Sequence, residues 1–379
     1  MFHLALKMLM GDRAKYIMLV GGLTFSALLM TQQTAVFQGL LSWTTSHLRN
    51  MRAPLWVVEA HVDYANETKP LRDTDVNRVR SVKGVDFAVP MYQGILKARA
   101  FDGSDKQVMI IGLHGATLFG RPPQMLAGNL ETLRLPNTVV IDELGVQRLS
   151  AGRKKPIGLG DTFEINDREA RVVGICRTER HFFGYPYVFT SYDQALQYAP
   201  RQRKMLSLIL ASPRPGVTPA EAARRISAET GLKAYTSDEF AKVTVAYIWK
   251  NTGIPMSFMT TIILGFIVGV AVSGQTFYSF VLENLRHLGA LKAMGASTWT
   301  LARMLLLQAF TAGFIGYGMG VGITAAFGFA VLPGGQPPFV LEAASLIRTA
   351  VAIVIICFFA ALLGIRKVAK LEPAVVFRG

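Results

Sequence analysis

Four stretches of this chain carry no Asp, Glu, Lys or Arg: 16–48, 251–282, 304–341 and 349–365. A helix needs about 20 apolar residues to cross a bilayer, and inside the hydrocarbon every backbone polar group must be bonded within the protein. The first three stretches exceed that length. The fourth gives about 26 Å of helix at 1.5 Å per residue, and Arg348 beside it has a stem long enough to snorkel. The pattern predicts four membrane spans, at about 16–38, 255–280, 304–331 and 346–365. Buried core helices are the alternative, and four of such length in 379 residues weigh against it. A cleaved signal peptide is the alternative for the first span, because Lys7, Arg13 and Lys15 precede it. Its apolar run outlasts the usual 7–15 residues of a signal peptide, and no small-x-small cleavage site follows, so retention is expected.

Composition agrees. Charged residues are 17% of the chain, against about 25% in soluble domains. The formal net charge of +15 suits a membrane surface as well as a nucleic acid. No basic run is longer than Arg153-Lys154-Lys155, so no nucleic-acid partner is expected. Cys176 and Cys357 lie far apart and exclude both a disulfide scaffold and a cysteine-type zinc site. Lys7, Arg13 and Lys15 precede the first span; Arg286, Lys292 and Arg303 lie between the second and third; Arg366, Lys367, Lys370 and Arg378 follow the fourth. Cytoplasmic segments hold the excess of Lys and Arg, so both termini and 281–303 are expected inside and 39–250 outside.

The outer segment reads as α/β. Strands are expected at 55–60, 85–89, 93–101, 107–113 and 205–211, with a hairpin over 161–175 broken at Asn166-Asp167 and a short helix over 74–81. Thr218-Pro-Ala-Glu221 and Thr236-Ser-Asp-Glu239 are capping boxes that open two helices, the second running to Lys250 and on toward the second span. Residues 39–52 can extend the first span as far as Pro54. The domains expected are 1–38, an outer domain 39–253 with an inserted lobe at about 116–204, and 254–379.

Chemical motifs are mostly absent. There is no phosphate-cradling G-x-x-x-x-G-K-[ST], no G-x-S-x-G and no H-E-x-x-H, and the six histidines lack ligand spacing, so neither a catalytic site nor a metal is expected. Phe182, Phe183, Tyr185 and Tyr187 sit among basic residues, as partner contacts often do; a strand edge packed into the domain explains them better. Gly265 and Gly269 in the second span, with Gly316, Gly318, Gly320 and Gly322 in the third, recur at the spacing that allows close helix contact, within the chain or between two copies. The loop Glu283–Ser297 carries Leu285, Leu288, Leu291 and Met294 at every third position of a short helix closed by Gly295. By itself that pattern suits an amphipathic helix lying at the membrane face.

The same loop, with Leu305-Leu-Leu-Gln-Ala and Gly313–Gly322, resembles the permease subunits of MacB/FtsX-type ABC transporters. The family loop reads E-x-x-R-E-x-G-x-x-[KR]-A-x-G-A; Arg286, Gly289, Lys292, Ala293, Gly295 and Ala296 match it, and His287 replaces its second Glu. Ala369–Arg378 resembles the family's closing A-x-x-x-P-x-x-x-[LF]-R. The wording of the outer domain and Gly274–Tyr278 look closest to the DevC-like branch. The resemblance implies a MacB/FtsX-like fold of four transmembrane helices, one before and three after a large α/β extracytoplasmic domain. It implies a multi-pass protein of the bacterial inner membrane that dimerises and binds two copies of a separate ATPase, which holds the ATP and Mg. The coupling helix would be Glu283–Gly295, with Glu283, Leu285, Arg286, His287, Leu288, Gly289, Leu291, Lys292, Ala293, Met294 and Gly295 meeting that ATPase. Motion of the outer domain would then drive efflux with a periplasmic adaptor (a membrane fusion protein), an outer-membrane duct and the surrounding lipids. A non-transporting, FtsX-like mechanical regulator of an envelope partner is the alternative. A membrane sensor is a third reading, and it would need a cytoplasmic signalling domain.

Overall fold

The computed structural model describes residues 2–200, 205–331 and 337–370. It divides into two compact units, Met1–Leu40 with Gly253–Gly379, and Leu41–Thr252. In chain order the helices are α1 (Phe2–Gly11), α2 (Arg13–Thr44), α3 (Ser46–Met51), α4 (Asp73–Arg80), α5 (Glu143–Leu149), α6 (Tyr192–Tyr198), α7 (Pro219–Thr230), α8 (Ser237–Asn251), α9 (Ile254–Glu283), α10 (Leu285–Ala293), α11 (Thr298–Val331) and α12 (Ala343–Ala369). The strands are β1 (Leu55–Val58), β2 (Val85–Arg99), β3 (Asp105–Leu113), β4 (Gln124–Gly128), β5 (Thr138–Asp142), β6 (Thr162–Ile165), β7 (Arg168–Arg177), β8 (Tyr187–Ser191), β9 (Leu208–Pro213) and β10 (Lys233–Thr236).

In the first unit, α2, α9, α11 and α12 are long and apolar enough to cross a membrane, and each contains one predicted span. Their mutual core is built from Leu23, Ala27, Phe277, Phe280, Leu305, Ala312, Ile356 and Cys357, while Phe314, Ile347 and Val351 stay exposed, as lipid-facing positions do. Glycines set the closest approaches. A Cβ on Gly316 would stand 2.7 Å from Leu23 Cβ, and one on Gly320 would stand 2.7 Å from Ala27 Cβ, so these two admit α2. Gly269 admits Ser26 and Ile356, and Gly265 lies against Leu29 and Met30. Gly318 and Gly322 have nothing within 4 Å. Packing within the chain thus accounts for Gly265, Gly269, Gly316 and Gly320, and leaves Gly318 and Gly322 open. The predicted link around 333–341 is described from 337 on, where Val340 donates to Ala35 O at 3.0 Å. The family-like C-terminal motif lies outside the described residues apart from Ala369 and Lys370.

The second unit is one sheet in the order β10-β1-β9-β2-β3-β8-β5-β7-β4, with β6 pairing both β2 and β7. The hairpin predicted at 161–175 is β6–β7, and Asn166 and Asp167 turn it at φ 47° and 60°, as a two-residue hairpin of this hand requires. Thr218 and Thr236 both cap helices as predicted, accepting from Glu221 N and Glu239 N, and the reciprocal bond of the box forms at Thr236 alone, since Glu221 turns to Arg225. The strands expected separately at 85–89 and 93–101 are one strand, β2. Pro90 is tolerated in it because only β9 pairs there; the ladder to β3 starts at Tyr92. The segment expected as an inserted lobe supplies β4 to β8, which extend the same sheet beyond β3. The first-span helix ends at Thr44, and Arg52 in the left-handed region (φ 48°) stops α3 two residues before Pro54. The second capping-box helix stops at Asn251, with Thr252 extended, so α8 and α9 are separate helices.

Candidate functional site

The polar turn after α9 is the best candidate site. Asn284 breaks the helix there: its N–H and its Nδ2 both bond to Phe280 O, at 3.2 and 2.9 Å, which ends α9 and starts α10 in a new direction. Gly295, at φ 98°, closes the far end, where Ala296 N reaches Leu291 O at 3.0 Å. Ser297 then caps α11, accepting from Thr300 N at 3.2 Å.

Within this frame the predicted face of the helix needs correction. Leu288 is 1% exposed and belongs to the core of its own unit, with Leu285 and Leu291 packed against that core. Gly289 is buried too. Leu288 is therefore not available to a partner. The cause is the spacing: positions three apart on a helix of 3.6 residues per turn drift by about 60° each, so Leu285 and Met294 end about 180° apart. Met294 is 77% exposed, and Glu283, Arg286, His287 and Ala293 share its exposed side. Lys292 turns to α12, with its Nζ 3.5 Å from Ala369 O, a favourable place for a cation at a helix C-terminus.

Glu283 forms an ion pair with Lys15, which also pairs with Asp12 at 3.1 Å. These pairs are solvated, so they orient the turn more than they stabilise it. A groove of about 580 Å³ runs beside α10, lined by Leu4, Met8, Gly11 and Asp12 on one side and by Glu283, His287, Ala290, Leu291 and Met294 on the other. Leu4, Met8 and Asp12 were missed in the sequence. The signal was present: Ala5 and Leu9, four apart, are buried, and Leu4 and Met10 are exposed, which marks α1 as an amphipathic surface helix. Gln308 of α11 holds it by donating to Ala5 O at 2.8 Å.

The aromatic run lies in the α/β domain and is mostly internal. Tyr187 is fully buried, Tyr185 stacks on His181 at 5.5 Å, and Phe182 meets Phe183 edge-on at 4.8 Å. Phe183 alone is well exposed, at 59%. Cys176 is buried in β7, where desolvation pushes its thiol pKa up, so it is not a reactive thiol. Among the described residues no cluster of His, Cys, Asp and Glu is arranged to hold a metal.

Comparison with known proteins agrees with this architecture. The MacB-like periplasmic core domain matches residues 17–229, and the FtsX-like permease C-terminal domain matches 258–373. The chain belongs to the FtsX/MacB family of ABC transporter permeases. An uncharacterized ABC transporter permease of Mycobacterium tuberculosis is 27% identical over 321 residues, covering 82% of this chain and 80% of its own. The "putative hemin transport system permease protein HrtB" of Staphylococcus haemolyticus is 22% identical over 340 residues, covering 89% and 88%. The periplasmic region of MacB from Actinobacillus actinomycetemcomitans is similar at a TM-score of 0.36 and 16% identity, covering 54% of this chain and 95% of that one. The extracellular domain of the transporter YknZ from Gram-positive bacteria gives 0.36 and 13%, covering 48% and 99%. An ATPase partner and a membrane location follow from the family.

Proposed function

We propose that this permease couples ATP hydrolysis by two copies of a separate ATPase to movement of its α/β domain on the outer side of the inner membrane, driving efflux. The observation that carries this reading is the exposed side of α10, Glu283, Arg286, His287, Ala293 and Met294, beside the groove shared with α1. An exposed Met next to an apolar groove is a surface in want of a partner. ATP and Mg sit on that partner, and this chain supplies no phosphate-cradling loop. Both termini lie in the cytoplasm. A second copy of the chain completes the assembly, and the open Gly318 and Gly322 of α11 suit a close contact with it. A periplasmic adaptor and an outer-membrane duct continue the route, and the DevC-like wording of Gly274–Tyr278 favours this two-membrane arrangement.

The test is copurification. Met294→Asp with Arg286→Glu leaves the buried Leu288 seat untouched and puts two negative charges on the docking side. The pair should release the ATPase while the permease itself still inserts and folds. Undiminished ATPase retention would refute the assignment of this face.

A further inference from the structure

The α/β domain holds a second cavity, unrelated to the α10 surface. β2 changes partner along its length. Its first half pairs with β9 up to Met91–Leu208, and its second half pairs with β3 from Tyr92–Gly112 onward. On the edge that β9 leaves, β6 takes over only at Ala98. The fork between them opens a cavity of about 340 Å³, lined by Asn66, Gln93, Gly94, Ile95, Met109 and Ser207 among others. That is the lower end of the roughly 300–1,000 Å³ typical of small-ligand sites.

Three features of the fork point to a ligand. Gln93 is 3% exposed, in the inward row Val89, Met91, Gln93, Ile95 where the alternation calls for an apolar side chain, and its Oε1 is buried without a partner. Asn66 Oδ1 is buried and unpartnered as well. Its orientation is fixed, because Asn66 Nδ2 donates to Thr44 O, the last residue of α2, at 2.8 Å. The third feature is main chain. Gln93 N and O are both tied to Ser207 Oγ on this edge, at 3.1 and 3.2 Å, and Lys97 O accepts from Asn166 N. By the two-residue period of a strand, the N–H and C=O of Ile95 face the same edge, and no ladder among the described residues covers them there.

We propose that this fork binds a short, uncharged peptide in extended form. The peptide adds a strand to the open edge at Ile95, and its further N–H groups donate to Gln93 Oε1 and Asn66 Oδ1. Among the described residues the lining carries no Lys, Arg, Asp or Glu, which suits a neutral segment; Ile95, Met109 and Met205 accept a small apolar side chain. Through Asn66, an occupied fork is linked by one hydrogen bond to the end of α2.

The probe is the blocked tripeptide acetyl-Ala-Leu-Ala-amide, titrated calorimetrically into the full chain in nanodiscs. A saturable site is expected, with a dissociation constant on the order of 1 mM or tighter. The same peptide N-methylated along its backbone keeps the side chains but loses the donors, and should bind about tenfold more weakly. Gln93→Met keeps the volume, removes the acceptor, and should weaken the unmodified peptide by a similar factor. Absence of saturation up to roughly 10 mM overturns the proposal, since a ligand that weak is not being recognised. Equal binding of the N-methylated peptide overturns it too, and this comparison uses the unmutated chain, so it stands if Gln93→Met misfolds. Equal binding by a folded Gln93→Met chain is the third refuting result.

Discussion

Lowering the pH from 7 to 5 should loosen the α/β domain by about 2 kcal/mol, and two histidines set the sign. His47 on α3 and His181 before β8 are each 1% exposed. Desolvation holds both rings neutral: it takes the pKa of His47 to about 3, helped by His181 and Arg49, and that of His181 to about 4. His181 Nδ1 accepts from Phe183 N at 3.2 Å, a bond that protonation of that nitrogen would break. In the unfolded chain both rings titrate near 6.5. Their neutral burial is therefore without cost above pH 6.5, and stability is lost as the pH falls from there toward the folded values. Between pH 7 and 5 each histidine removes about 2 kcal/mol. Asp142 opposes them. It is buried at the start of α5, and desolvation raises its pKa to about 6 against the bonds from Tyr187 N, Gly145 N and Thr178. Its folded state takes up a proton that the unfolded chain takes up only near 4, which returns about 1 kcal/mol in the same window. Carboxylates held low by neighbours, such as Asp161 beside Arg153, titrate below it. The net loss is thus about 2–3 kcal/mol. Urea unfolding of the α/β domain, followed by near-ultraviolet ellipticity at the two pH values, reads it directly. In the double variant His47→Leu, His181→Leu the Asp142 contribution is opposed by the more exposed His114, whose pKa burial lowers, so the loss toward pH 5 should largely vanish. A wild-type midpoint that does not move, or a double variant that declines as the wild type does, would refute the reasoning.

Other outcomes follow from packing. Leu288→Asp buries an unpaired carboxylate inside the membrane unit and should cost the permease itself several kcal/mol, seen as a lower melting temperature in detergent without any ATPase present. Gly320→Val drives side-chain atoms into Ala27 and Leu28 and should destabilise by about 1–3 kcal/mol, while Gly322→Val, in open space, should leave the melting temperature of the monomer unchanged. Asp105→Cys should be labelled from outside the cell by an impermeant thiol reagent and Ser297→Cys should not; labelling of the latter would invert the topology. The purified chain, free of its ATPase, should hydrolyse no ATP above background.

Charge-free length located every crossing helix, because desolvating a charge in hydrocarbon is costly enough to show in composition alone. The helix caps at Thr218 and Thr236, and the Asn166-Asp167 turn, were legible for a similar reason: each depends on neighbours in sequence. The strands β4, β5, β8 and β10 were not legible. β5 and β8 are short and covered on both faces, so they lack the polar–apolar alternation that a half-exposed strand shows, and β4 and β10 are edge strands of five and four residues, too short for a period to register. The short helix after α9 was legible in place, and the face it turns inward was mistaken. Three-residue spacing of leucines gives an apolar helix, but which side faces inward depends on what packs above it, and that is decided by Phe280, Leu301 and Leu305.

That error bears on mechanism. Had the leucine stripe been the docking surface, ATPase contact and membrane packing would compete for the same side chains, and α10 would have to detach from its core to be grasped. With Leu285, Leu288 and Leu291 seated inward, α10 is instead anchored to the core that α9, α11 and α12 share, and it presents Arg286, His287 and Met294 outward. In the proposed mechanism, a push on that outer side would reach the helices through an existing apolar contact. The Glu283–Lys15 pair adds a second link, from the same turn to the first residues of α2. α2 is one uninterrupted helix from Arg13 to Thr44, and Asn66 Nδ2 donates to its last carbonyl. Leu28→Pro removes a backbone bond in mid-helix and costs about 3 kcal/mol or more, so among variants that still insert, export should fall while ATPase binding to α10 persists. Export that survives a kinked α2 would mean that force does not travel along this helix.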